Sequence, residues 1–264
     1  MQTYNIFTNH AEHLKQTKAD LLLITSLGQN CSSFSELLQD ETLLYSPLLI
    51  TNAVANLSAF SEITFHKIEK KEEQDARDIF ALGMAFGRAY ELRGNALILG
   101  QYSQNAATNA EQILSLLEVN KEKSTFEILL ACDVTLLFCA GFLLEASRRF
   151  HIIVGGGFEM AFVLYIADIL RADLLMRPMS HNITYITSQN AKQTQPIEKL
   201  LMQLSYTPHA LYTSIDLSAA EIEKLKNIGE EECGASGAAL AFAQANAITN
   251  VQLLNEMELI VYIY

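Results

Sequence analysis

Apolar residues follow two alternating patterns along this chain. Short runs rich in leucine, isoleucine and valine are separated by longer stretches whose apolar positions recur at helical spacing. The short runs read as strands buried on both faces, the longer ones as helices. Strands are expected over Leu21 to Thr25, Ala96 to Leu99 with an end at Gly100, His151 to Val154, Ile183 to Thr187 and Ala210 to Ile215. Helices are expected over Ala76 to Leu92, Ala106 to Leu117, Phe126 to Ser147, Phe158 to Leu170 and Pro196 to Leu204. Ser218-Ala219-Ala220-Glu221 has the capping-box pattern and opens a helix through Leu225. The small-residue stretch Ser236 to Ala247 is also expected to be helical. The charged run from Lys67 to Arg77 reads as a solvated linker or helix start, and Leu259 to Tyr264 as a strand at a sheet edge or dimer contact.

Strands alternating with helices imply an α/β fold: a mostly parallel sheet covered by helices on both faces, Rossmann-like and three-layered, with small helical additions at the ends. No internal repeat is visible, and one domain over residues 1–264 is expected. Ligands of such sheets sit at the carboxyl ends of the strands. The two glycine turns, at Gly100 and at Gly155 to Gly157, are expected at such ends.

Composition narrows the class. The chain has 264 residues, half of them hydrophobic, and only twelve glycines and four prolines, which suits a sizeable core. Its net charge of −12 disfavours nucleic acid and anionic membrane as partners, because both are bound through clustered Lys and Arg. Cys31, Cys132, Cys139 and Cys233 are scattered, with no CxxC pair and no histidine at ligand spacing, so no metal site is expected. Cys132 and Cys139 lie in an apolar helical pattern and read as buried thiols in a reducing cytoplasm. The N-terminus lacks the basic and apolar regions of a signal peptide. Ile128 to Leu144 is the most apolar segment, but it is short for a membrane span and contains Asp133; it reads as a buried helix.

Three segments carry candidate chemistry. Ile152 to Ala161 feeds an apolar strand into Gly155-Gly156-Gly157 and then into a helix. That geometry aims backbone N–H groups at one point and favours a phosphate, although a tight turn alone explains the glycines. Gly229 to Ala238 places Glu230, Glu231 and Glu232 before a small-residue turn, where a carboxylate either complements a helix dipole or serves as general base. Leu99 to Ala110 is a polar loop whose Ser103, Asn105 and Thr108 either cap a helix or bind a ligand. Asp133 must be paired, whether for structure or because it faces a site. His151 and His181, beside strands, read as surface or core histidines.

In this order the three loops resemble those of the nicotinate-nucleotide:dimethylbenzimidazole phosphoribosyltransferases, particularly the archaeal-type branch, with this chain a short, divergent member. The family's Gly-Gly-Thr-Gln-Met-Ala corresponds to Gly156-Gly157-Phe158-Glu159-Met160-Ala161. Its Lys-Glu-Gly-Val-Gly-Ala-Gly-Gly-Ala corresponds to Glu230 through Ala238, which puts its general-base glutamate on Glu231. Its middle loop corresponds to Gly100 through Ala110, with Gln101 for a glutamate and Asn105-Ala106 for two glycines. Ala140 to Leu143 and, more weakly, Ser46 to Thr51 also correspond. The strongest correspondence covers residues 139–161 and 225–243.

The resemblance implies transfer of phosphoribose from nicotinate mononucleotide to a benzimidazole-like aromatic base, which makes the lower-ligand nucleotide of a cobamide. It implies Glu231 as general base, a phosphate and nucleotide site at Gly155, Gly156, Gly157, Gly100, Ser103, Asn105 and Thr108, and a base pocket of Gln101, Glu159, Met160, Gly234 and Ser236. No metal or cofactor is implied, and a cytoplasmic homodimer is expected. A catalytically altered or inactive relative, which binds a nucleotide or cobamide precursor or acts on a different base, is the alternative, and a purely structural or protein-interaction subunit a third.

Overall fold

The computed structural model describes residues 7–8, 18–26, 44–46, 48–57, 60, 62–69, 74–103, 105–120, 122–177, 179, 182–213, 216–228 and 246–264. Its centre is a seven-stranded sheet: β1 (Phe7–Thr8), β2 (Ala19–Thr25), β3 (Glu62–Lys67), β4 (Ala96–Tyr102), β5 (Ile152–Gly155), β6 (Ile183–Ser188) and β7 (His209–Thr213). The order is β1-β7-β6-β5-β4-β2-β3, and every neighbouring pair is parallel. The interior strands β2, β4, β5 and β6 are buried along nearly their whole length, so both faces must be covered.

Alternate residues of one strand enter two different cores. Leu22, Ile24, Leu97, Leu99 and Val154 pack beneath α2 (Ala76–Ala89), α3 (Ala106–Val119), α4 (Thr125–Leu129), α5 (Val134–Ala146) and α6 (Phe158–Asp173). Leu21, Leu23, Ile98 and Ile153 face the other way, toward α1 (Leu48–Leu57) and the C-terminal helix α9 (Asn250–Ile263). Two short helices, α7 (Gln189–Thr194) and α8 (Ile197–Leu201), connect β6 to β7. The expected three-layer α/β arrangement is therefore the one observed. Cys132 and Cys139 are buried free thiols, as expected, and burial pushes both well above the ordinary thiol range.

Several elements differ from the sequence reading. The run Leu259 to Tyr264 is not a strand: it finishes α9, which a Thr249–Gln252 capping box opens. Leu253, Leu254, Met257 and Ile260 form its buried stripe, and that helical spacing outweighs the β-branched tail. The helix expected from Phe126 to Ser147 is two helices, broken where Asp133 caps α5. The segment from Ser218 is turns followed by a 3₁₀ helix, Glu223–Asn227, rather than an α-helix. The helix α1 and the strand β3 lay outside the reading. Residues 229–245, and with them most of the expected helix Ser236 to Ala247, lie outside the described residues.

Helix α2 meets α5 at unusually close range. A Cβ at Gly83 would run into the Phe138 carbonyl oxygen, one at Gly87 into the Phe142 carbonyl, and one at Gly141 into the Phe80 carbonyl. The glycines let the two backbones touch, and this contact fixes α5 over the middle of the sheet. Among the described residues, no helix is long and apolar enough to cross a membrane.

The connectivity locates the crevice. From β2 the chain moves outward through α1 to β3, then crosses back through α2 to β4, and from there runs on through β5, β6 and β7. The direction reverses between β2 and β4, so the loops leaving their carboxyl ends diverge to opposite faces. Such a reversal opens a cleft in parallel sheets.

Candidate functional site

The carboxyl end of β4 stands at this reversal. The strand runs two residues beyond the expected end, so Gly100 lies within the sheet opposite Leu23, and Gln101 opposite Ile24. Gly100 is thus a ladder residue, not the apex of a turn. Gln101 is buried, with its Oε1 3.2 Å from the Thr135 hydroxyl. The same hydroxyl is 2.5 Å from Asp133 Oδ1, and Ser103 donates to Asp133 Oδ2 at 2.6 Å.

Asp133 gathers this loop. Its carboxylate caps α5 through the Thr135 N–H at 2.8 Å, while its own N–H goes to Asn109 Oδ1 at 2.7 Å. Asn109 in turn donates to the Ala131 carbonyl at 2.9 Å. The aspartate found in the most apolar stretch of the sequence is therefore paired four ways, and it ties the β4 loop and α3 to the start of α5. Asn105 sits at the N-cap of α3 without a side-chain capping bond; it and Thr108 are solvent-exposed.

One strand along, the glycine turn closes β5. Leu99 pairs with Val154, so the two loops leave adjacent strands at the same edge. Gly155 is the last ladder residue, opposite Ile186. Gly156 has φ of 152°, outside the range L-residues favour, which is the physical reason for glycine here. Its N–H donates to the Ile186 carbonyl at 3.0 Å. The Gly157 N–H donates to Glu159 Oε1 at 2.9 Å, and the Phe158 N–H to Gln195 Oε1 at 2.7 Å.

The first amides of the turn are thus all engaged within the chain, one of them by a carboxylate. Glu159 is buried, two residues into α6, where the helix dipole favours its charge. Beneath it the Tyr185 hydroxyl reaches the Gly156 carbonyl at 2.9 Å and the Gly157 carbonyl at 2.8 Å. Burial, reinforced by the Glu159 charge, holds that phenol protonated far above its ordinary range. Met160 points into the core and is fully buried.

The structure therefore brings together Gln101, Ser103, Gly155, Gly156, Gly157 and Glu159 along one edge. Glu231, Gly234 and Ser236 lie outside the described residues. Thr135, Tyr185 and Gln195 escaped the sequence reading, because each reaches the edge from a different element. Asp133 was recognisable as a group needing a partner, though not which partner. His151 bonds Thr184 through Nε2 at 2.9 Å, consistent with a structural histidine. Among the described residues no group of His, Cys, Asp and Glu has the makings of a metal site.

No family model matches the sequence, and no curated protein matches it. By structure, the chain is similar to the nicotinate-nucleotide-dimethylbenzimidazole phosphoribosyltransferase of Thermus thermophilus, with a TM-score of 0.52 and 12% identity over 93% of this chain and 89% of that one. CobT from the same organism aligns with a TM-score of 0.49 and 12% identity, over 91% and 84% of the two chains. At this identity the first likeness establishes a shared α/β fold.

Proposed function

We propose that the chain is a phosphoribosyltransferase that moves phosphoribose from nicotinate mononucleotide to a benzimidazole-like base in cobamide lower-ligand synthesis. The observation that carries this reading is the pair of loops, Gln101 to Ser103 and Gly155 to Gly157, on adjacent strand ends beside the reversal between β2 and β4. The shared fold with a phosphoribosyltransferase adds to it. In the reaction the C–N bond to the pyridine ring breaks and nicotinate leaves with the bonding pair. The base nitrogen bonds to the same ribose carbon, and Glu231 takes the proton that nitrogen loses. We assign the 5′-phosphate to the Gly155–Gly157 turn, with Ser103, Asn105 and Thr108 beside it, and the base to a pocket of Gln101, Glu159, Gly234 and Ser236. The working unit in this reading is one domain of residues 1–264, acting as a cytoplasmic homodimer.

The second reading, a relative that binds a nucleotide or cobamide precursor without turnover, is favoured by one contact. The Glu159 carboxylate already holds the Gly157 N–H. A phosphate arriving there must displace it or meet its charge. Incubating the protein with nicotinate mononucleotide and 5,6-dimethylbenzimidazole, and following both substrates and products by chromatography, separates the two. Release of nicotinate with formation of the benzimidazole nucleotide supports transfer. Calorimetric binding of the mononucleotide without products supports the second reading, and neither binding nor products refutes both.

A further inference from the structure

On the outer helical layer, Arg77 of α2 lays its guanidinium over the ring of Phe126 in α4, 5.1 Å from the centroid. A cavity opens on each side of this stack. The smaller, of about 120 Å³, is bordered by Asp75 and Glu127. The larger, of about 530 Å³, has Phe80, Met84 and Leu174 as its apolar walls and Asp173 at its rim. Its size falls within the roughly 300–1,000 Å³ typical of small-molecule sites. Helix α6 runs 16 residues from the glycine turn to Asp173, so the groove lies about 24 Å from the candidate site, at a rise of about 1.5 Å per residue.

We propose that this groove binds an organic cation with an aromatic or aliphatic body, for which Arg77 is the resident stand-in. The ring face of Phe126 is an electron-rich platform that attracts cations, and it already holds one. Arg77 is solvent-exposed, so it can leave the ring without breaking the core. Charge favours the same class of ligand. Among the described residues that line the two cavities, Asp75, Glu127 and Asp173 stand against the Arg77 guanidinium. The Glu127 carboxyl is held below its ordinary range mainly by the Ser124 backbone and hydroxyl, with help from Lys123 and Arg77, so it is ionised at neutral pH. Asp173 Oδ2 accepts the Thr125 hydroxyl at 2.6 Å, which fixes the carboxylate at the rim and leaves its other oxygen for a ligand.

The apolar side of the groove is under-covered as well. Leu174 is 44% exposed, and Leu175, directly after it, is 94% exposed with a left-handed φ of 52°. A leucine in that conformation is strained relative to the right-handed region. The helix thus ends by turning apolar surface outward next to a groove that already has apolar walls.

The test uses three probes of one shape on the whole chain: 4-phenylbutylamine, 4-phenylbutanol and 4-phenylbutyrate, with affinities from ligand-observed NMR titration. The amine is expected to bind at least tenfold more tightly than the alcohol, and the carboxylate more weakly still. Arg77→Gln, which vacates the ring and removes the competing charge, is expected to tighten the amine at least threefold. Asp173→Asn keeps an acceptor for Thr125 and is expected to weaken the amine at least threefold without changing the melting temperature. Amine affinity unmoved by both variants, carboxylate binding as tight as the amine, or no amine binding at millimolar concentration overturns the proposal. Neither variant touches the sheet edge, so these outcomes are independent of the phosphoribosyl-transfer reading.

Discussion

Glu159 holds the backbone N–H of Gly157 at 2.9 Å with a carboxylate oxygen from two residues further along the chain. Strand, glycine turn and helix are present as a phosphate site requires, yet the helix supplies its own anion. Removing that charge while keeping the acceptor is the informative change. Two like charges about 4 Å apart repel by about 1–4 kcal/mol, depending on the effective dielectric. Glu159→Gln is therefore expected to raise nicotinate mononucleotide affinity about tenfold or more by calorimetry. The folded state should lose about 0.3–1 kcal/mol, the worth of a charge at a helix N-terminus. An affinity that stays level or drops would move the phosphate away from this turn.

In the proposed transfer, turnover rests on a residue of the acidic run. Glu231→Gln is expected to lower the rate of benzimidazole nucleotide formation roughly 10²–10⁴-fold, the range for loss of a positioned general base. Mononucleotide binding should change far less. Glu230→Gln and Glu232→Gln serve as controls and should retain most activity. A dead control beside an active Glu231 variant shifts the assignment by one residue.

The contact between α2 and α5 makes its own demand. Adding a methyl at Gly141 drives a Cβ into the Phe80 carbonyl, a backbone atom that moves only if the helix does. Overpacking of this kind costs roughly 1–3 kcal/mol, and more where the obstacle is backbone. Gly141→Ala and Gly83→Ala are each expected to lower stability by at least that much in urea denaturation. Because both act on one interface, the double variant should fall short of the sum.

His66 stacks on Phe86 and Phe138, with ring centroids 4.3 and 5.1 Å away, and burial lowers its pKa below the ordinary 6.5. His151 is lowered too, first by burial and then by the charge of His209. The unfolded chain takes up protons near pH 6.5 that the folded chain resists, so stability falls as pH drops through that value. Denaturation midpoints are expected to decrease between pH 7 and pH 5, and His66→Phe should flatten the decrease. A midpoint independent of pH over that window would contradict the assignment.

The strands that form the middle of the sheet were legible because they are buried on both faces. Residues such as Leu21 to Ile24 and Ile152 to Val154 have no polar side to hide, and an unbroken apolar run announces itself. The glycine turn was legible because its conformation excludes side chains. The strand β3 was not, since its EITFHK sequence sits at the sheet edge with only partial burial and shows no apolar run. The tail LIVYIY misled for the opposite reason: its β-branched residues suit a strand, but the stripe from Leu253 to Ile260 has a partner only as a helix.

What the amino-acid order determined by itself was local: which segments are extended or helical, where the backbone needs glycine, and that Asp133 needs partners. Those follow from the periodicity and conformational limits of each stretch. Tertiary structure alone decided that β4 lies between β2 and β5, which puts the Gln101–Ser103 loop beside the glycine turn. It also decided that Ser103 and Asn109, distant from Asp133 in sequence, both meet it. Strand order depends on which faces must be covered and on the hand of each crossover, and neither is written in any one segment. The state of the glycine turn, a matter of where Glu159, Gln195 and Tyr185 come to rest, belongs to the same class.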